Sequence, residues 1–273
     1  MVTFAGNTFH SPSRQRRLLR RGADGFTLIE LAMVMFIVAM LIGGMLMPLA
    51  TQQDVRRQAD GEKILAEARE ALIGYAMVND RLPCPATATS NGVESPVGGG
   101  VCTQPYDGFL PAVTLSIGPV DDQGYLLDGW GGEAVHRIRY AVSTANTSAI
   151  TTGAGAGGTN TIKAVTMTVL APDLKVCNRG AAVQNAGQPT ADCSAGAILV
   201  GDAMAIVYSV GKNAAGGGFN DNEKHNPNPF LPVLVAADRV FVSAPPNDDF
   251  DDNLVWLSKH MLFSRMVAAG RLP

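Results

Sequence analysis

The sequence predicts an α+β chain: one long N-terminal helix, membrane-spanning in its first half and amphipathic in its second, packed on a β-rich, antiparallel head. Three observations predict it. Residues 26–50 form an unbroken apolar run interrupted by a single charge, Glu30. Residues 51–79 carry apolar positions at three- and four-residue steps among charged ones. From Arg81 onward, short β-branched runs alternate with Gly, Pro, Asn and Asp.

The elements follow in chain order. Residues 1–25 are polar and basic and read as a leader outside the fold. Arg14, Arg16, Arg17, Arg20 and Arg21 stand there against Asp24 alone, so the leader is strongly positive while the whole chain is −3. A basic head before a long apolar run orients that run with its N-terminal end in the cytoplasm. The acidic remainder argues against a nucleic-acid binder. As a helix, 25 residues rise about 37 Å, enough to cross roughly 30 Å of hydrocarbon. Val55, Ala59, Leu65, Ala68, Leu72, Tyr75 and Ala76 then continue the helix with one apolar stripe. Pro48 is expected to kink the join, because it cannot donate to the helical ladder.

In the head, 113–117, 134–142, 162–170, 198–210 and 233–242 read as strands, and 253–269 as a short terminal helix with Leu254, Leu257, Met261, Leu262 and Met266 on one face. Gly98 to Gly100, Gly153 to Gly158 and Gly216 to Gly218 read as loops. The expected segments are thus a leader over 1–25, an apolar helix over 26–50, an amphipathic helix over 51–80 and a head over 81–273.

Cys84, Cys102, Cys177 and Cys193 all lie beyond the apolar run, on the side that would be exported. Their even number and position favour disulfides. Proximity pairs Cys84 with Cys102 and Cys177 with Cys193, one of three possible connectivities. Loops of that size contribute about 3 kcal/mol each in the chain-entropy account. Metal ligation competes, but there is no Cys-x-x-Cys and the histidines are scattered.

Glu30 is the residue a plain anchor leaves unexplained, since a charge deep in a membrane helix costs about 2.5–3.5 kcal/mol and calls for a partner. Gly25-Phe26-Thr27-Leu28-Ile29-Glu30, preceded by arginines and followed by apolar residues, resembles the cleavage signal of type IV prepilins and type II secretion pseudopilins. The resemblance implies a pilin-like fold and a bond cut between Gly25 and Phe26 by prepilin peptidase, followed by N-methylation of Phe26. It also implies an assembly role for Glu30, opposite the new ammonium of a neighbouring subunit. At an effective dielectric of 20, two such charges about 4 Å apart attract by roughly 4 kcal/mol. Pro48 resembles the proline these subunits carry near the mature twenty-second position, displaced here by one.

Asp128-Gly129-Trp130-Gly131-Gly132 resembles the Asp-Pro-Trp-Gly turn of major pseudopilins, with Gly129 in place of proline. Tyr208-Ser209-Val210-Gly211 resembles the Ser-x-Gly that opens their C-terminal loop, and Leu82-Pro83-Cys84-Pro85 their exit from the long helix. In those relatives the loop binds calcium, which makes Asp248, Asp249, Asp251 and Asp252 the calcium candidates, against a solvated acidic turn.

Catalytic motifs are missing. Gly153 to Gly158 formally fits G-x-G-x-x-G but lacks the strand before and helix after that a nucleotide fingerprint needs. No Walker sequence, G-x-S-x-G or H-E-x-x-H occurs. His136, His225 and His260 read as surface or packed residues, and Trp130 and Trp256 as anchors. The expected partners are prepilin peptidase, other pilin or pseudopilin subunits, an inner-membrane assembly platform and lipid. The expected place is the bacterial inner membrane with the head periplasmic, then a filament in the periplasm or at the cell surface. The expected role is that of a non-enzymatic filament subunit, by its size a minor one. A pilin-mounted adhesin reading ligands through 90–108 or 212–230, and a membrane-anchored hydrolase, are the alternatives.

Overall fold

The computed structural model describes residues 25–132, 134–153, 160–180, 192–214, 222–226, 239–247 and 249–272. The chain divides into two compact units, Met1–Thr51 and Gln52–Pro273. The helix α1 (Leu28–Asn79) belongs to both.

In the first unit, α1 is helical from Leu28 onward and its assignment runs through Pro48. Among the described residues, no helix is long and apolar enough to cross a membrane. The apolar stretch with described side chains, Leu28 to Gly43, rises about 24 Å, short of roughly 30 Å of hydrocarbon. The side chains of 44–50, which would complete the span expected over 26–50, lie outside the described residues.

The second unit takes in the amphipathic half of α1. Leu65, Ala68, Leu72, Ile73 and Ala76 are fully buried along one stripe, while Lys63 and Glu67 pair on the exposed side at 3.8 Å. Each buried leucine or isoleucine contributes about 1.5–3 kcal/mol. The helix stops because Asp80 adopts a left-handed conformation (φ 56°), its N–H bonding back to Ala76, and Pro83 follows shortly after.

The stripe packs on a six-stranded sheet. Its strands are β1 (Gly108–Phe109), β2 (Arg139–Val142), β3 (Leu174–Cys177), β4 (Ile198–Ser209), β5 (Val240–Val242) and β6 (Asn253–Ser258). They run in the order β1-β2-β4-β3-β5, with β6 also paired to β4. The antiparallel head expected from sequence needs one correction: β3 and β5 pair in parallel. Strand β4 is the spine, holding Tyr140 against Val207 and Leu254 against Tyr208. Its side chains alternate between two buried faces. Ala205 and Val207 join Tyr140 and Val142 in the core beneath α1, while Ala203, Ile206 and Tyr208 pack with Leu174, Val176 and Phe241. From Ala203 to Ser209 β4 is buried on both faces, and its apolar run Ala203 to Val207 made it legible.

Four of the sequence expectations change. The run 113–117 is the short helix α2 (Ala112–Leu115), started by Pro111, whose fixed φ suits a helix entry, and ended by Ser116 at φ 56°. The run 134–142 opens as a 3-10 turn over Ala134–His136 and becomes strand only at Arg139. The run 162–170 forms consecutive turns, because Ala164 and Val165 donate to Thr161 O and Val169 and Leu170 to Thr166 O. Those local bonds use the N–H groups a strand would share. The segment 253–269 is strand β6 followed by the helix α4 (Lys259–Ala268), divided at Ser258, whose Oγ accepts from Met261 N–H. Strands β1 and β3 and the left-handed turn α3 (Ala145–Ser148) lacked a sequence signal. Of 233–242, residues 233–238 lie outside the described part.

Candidate functional site

Two regions carry the residues singled out from sequence. The first is the start of α1. Gly25, Phe26 and Thr27 precede the helix, and Thr27 caps it: its carbonyl accepts from Glu30 and Leu31 N–H at 3.0 and 3.1 Å, and its Oγ1 from Glu30 N–H at 3.3 Å. Glu30 thereby sits in the first turn, where the helix dipole favours an acid. Phe26 is 80% exposed, and among the described residues no atom lies within 4 Å of a Cβ built on Gly25. Residues 1–24 lie outside the described part. Apolar side chains from Phe26 to Ile42 are exposed in this single chain, a contiguous apolar surface of the kind that marks contact with lipid or protein.

The second region joins the Asp128 turn, the Ser209 to Asn213 corner and the loop ahead of β6. Asp128 folds its own turn, with Oδ1 accepting from Trp130 and Gly131 N–H at 2.8 and 3.1 Å. Its Oδ2 accepts from Ser209 Oγ at 2.5 Å. Gly129 lies flat on α1, where a Cβ would come within 1.9 Å of Arg57 O, which is why neither a proline nor any larger residue fits without movement. Trp130 is flanked by Arg57 and Lys212 at 5.7 and 5.6 Å from its ring, and Lys212 Nζ pairs with Asp54 of α1 at 2.7 Å. The Trp-Gly turn thus fastens the end of β4 to the amphipathic helix. His136 Nδ1 stands 3.6 Å from Asp128 Oδ2.

Past Ser209 the chain turns at Gly211 (φ 68°), over which Asp251 folds. Asp251 Oδ2 accepts from Lys212 and Asn213 N–H at 2.8 and 3.1 Å. Asp251, Asp252 and Glu223 converge, with a carboxylate oxygen of each within 4.8 Å of the others. Glu223 Oε1 accepts from the Asn213 amide, and Asp252 Oδ2 from the Asn226 amide, both at 2.8 Å. Asp251 Oδ1 is buried without a hydrogen-bond partner. Burial, then the charges of Glu223 and Asp251, push Asp252 well above the usual carboxylate range. Burial also raises Asp251, with Glu223 and Asp128 adding to it against the two N–H donors.

Three converging acids, one with an unused oxygen, are the donor set a hard cation takes, with carbonyls and water completing its shell. Of the four acids nominated from sequence, Asp251 and Asp252 belong to this set and Asp249 does not; Asp248 lies outside the described residues. Glu223 is the member sequence reasoning missed. It arrives from a 3-10 turn, Glu223–His225, nearly 30 positions before Asp251, and no local spacing signals it.

Cys84 is joined to Cys102 and Cys177 to Cys193, with Cα atoms 5.3 and 5.7 Å apart. The first pair sits beside a buried ion pair. Glu94 takes both guanidinium nitrogens of Arg81, at 2.7 and 2.6 Å, the Tyr75 hydroxyl at 3.2 Å, and the N–H groups of Cys84 and Gly98. Trp256 packs partly buried against the second core, His225 is fully buried, and His260 lies exposed on α4. Gly153 ends the described part of the glycine tract and lies against the Arg81 side chain.

No curated protein and no solved structure matches the chain. Residues 20–46, which include Gly25, Phe26 and Glu30, match the prokaryotic N-terminal methylation motif. The chain therefore carries the type IV prepilin-like signal, that of a pilin-like or pseudopilin precursor.

Proposed function

We propose that this protein is a non-enzymatic structural subunit, a minor pilin or pseudopilin, of a type IV pilus or type II secretion pseudopilus. The methylation motif over 20–46 carries the reading. Prepilin peptidase cuts between Gly25 and Phe26 and the new N-terminus is methylated. Before assembly the run 26–50 holds the subunit in the inner membrane with its head in the periplasm. On assembly the exposed apolar residues from Phe26 to Ile42 trade lipid for neighbouring helices, and Glu30 meets the ammonium of an adjacent Phe26. The platform of the machine and other subunits are its partners. Mass spectrometry of the mature protein tests the processing: the expected N-terminus is N-methylated Phe26, and an intact leader or a cut elsewhere refutes it. Glu30→Val tests assembly: filament incorporation should fall to background with membrane insertion retained, and unaltered incorporation refutes the role.

The convergence of Glu223, Asp251 and Asp252 favours a second feature of the same reading. The loop ahead of β6 takes calcium, held by these three acids, and the ion would neutralise their repulsion and fasten the loop to the Gly211 corner.

A further inference from the structure

A concavity of the head lies away from both regions, between the turns over 162–167 and α4, and holds about 580 Å³. That volume is within the roughly 300–1,000 Å³ of pockets that enclose small molecules. Its walls are apolar: Ile162 and Met167 on one side, Phe263, Val267 and Ala268 of α4 on the other, with Leu272 closing the end. Helix α4 buries Leu262, Phe263 and Met266 in the core. It then offers the cavity a second stripe, His260, Ser264, Val267 and Ala268, at steps of three and four. Val267 and Met167 remain 50% and 40% exposed.

Among the described residues, the cavity is lined by two basic side chains, Lys163 and His260, and by no acid. Lys163 Nζ lies 2.7 Å from Asp80 Oδ2, and Arg271 Nε, beside Leu272, is 3.2 Å from the other oxygen of the same carboxylate. Two cations sharing one carboxylate leave a positive surplus there, and a lysine ammonium bonded once keeps two donors. An apolar trough with one cationic end fits a molecule of the complementary build, and we infer that it binds a long-chain fatty carboxylate. The aliphatic chain lies along Met167, Phe263 and Val267, and the carboxylate takes the remaining Lys163 donors.

The test uses the full chain in nanodiscs of zwitterionic phosphatidylcholine, photolysed with a diazirine-bearing palmitate and mapped by peptide mass spectrometry. Labels are expected on peptides covering 162–167 and 263–272, displaced by palmitate at concentrations about tenfold below those of hexadecanol, the difference one charge-assisted hydrogen bond makes. Ala268→Trp, at an exposed position on the cavity wall, should remove the labels, and Lys163→Gln should erase the preference for palmitate while leaving the cavity intact. Should Ala268→Trp fail to fold, Lys163→Gln decides alone. Labels confined to 26–50, equal displacement by hexadecanol, or an unchanged preference in Lys163→Gln would each overturn the assignment, including the outcome in which the trough takes only membrane phospholipid chains.

Discussion

Replacing Arg81 by leucine should be among the costliest single changes in the head, and its cost should shrink in acid. The Arg81 and Glu94 side chains are only 8% and 4% exposed, so solvent offers little relief to a charge left alone. Arg81 donates two short bonds to Glu94, one to Tyr75 Oη at 2.6 Å and one to Leu82 O at 3.1 Å. Breaking a buried pair by removing one member costs about 3–5 kcal/mol. The N–H groups of Cys84 and Gly98 still serve Glu94 in the variant, which places the expectation near the lower figure, about 3 kcal/mol.

The pH dependence gives a second, independent reading. Burial works to raise the Glu94 carboxyl, but Arg81 and the backbone donors outweigh it and hold Glu94 below its usual value of 4.5. A carboxyl depressed on folding contributes stability above its unfolded pKa and loses it as pH falls through the folded one. Without Arg81, burial dominates and the carboxyl is raised, so the variant regains stability as pH falls from 7 toward 5. Urea titration of the full chain in detergent micelles, followed by the fluorescence of Trp130 and Trp256, measures both proteins. The double variant Arg81→Leu/Glu94→Leu should show a coupling of about 2 kcal/mol. A single-variant cost under about 1 kcal/mol, or a cost equal at pH 7 and pH 5, refutes the reasoning.

Gly129→Ala should destabilise the head by about 1–3 kcal/mol, read as a fall in melting temperature with a shift in Trp130 emission, because its Cβ must displace Arg57 O or the turn itself. Cys84→Ser/Cys102→Ser should cost about 3 kcal/mol, seen in the urea midpoint under non-reducing conditions. Asp252 behaves oppositely to Glu94: its carboxyl is raised on folding, so the stability it contributes is complete below its unfolded pKa near 3.8 and is lost as pH rises through the folded value. In chelator, Asp252→Asn should therefore melt higher than the parent at pH 7. Added calcium should raise the parent's melting temperature and leave the variant's unchanged; a parent indifferent to calcium would refute the cation assignment.

Much was legible because it rests on local chemistry. The apolar run, Glu30 and the Gly25-Phe26 junction are contiguous, so one stretch of sequence carries the prepilin-like signal whatever the head does. The stripe Leu65, Ala68, Leu72 and Ala76 was readable because a helix meeting a flat sheet repeats its contact every three or four residues. Strand β4 was readable from Ala203 onward, where both of its faces are buried. The errors arose where apolar content outvoted hydrogen bonding. Residues 162–170 look like a strand until Thr161 and Thr166 collect the local N–H groups, and the Leu254 and Leu257 spacing mimics a helix although both pack from a strand.

Local sequence was enough for the prepilin-like signal, the long helix with its buried stripe and the proximity pairing of the cysteines, since each depends on neighbours in the chain. Which acids meet, why residue 129 favours glycine, and that Arg81 finds Glu94 became visible in the folded chain alone. Those outcomes depend on β4 carrying Ser209 to Asp128 and on loops far apart in sequence closing over Gly211, and no local pattern records a contact made across such distances.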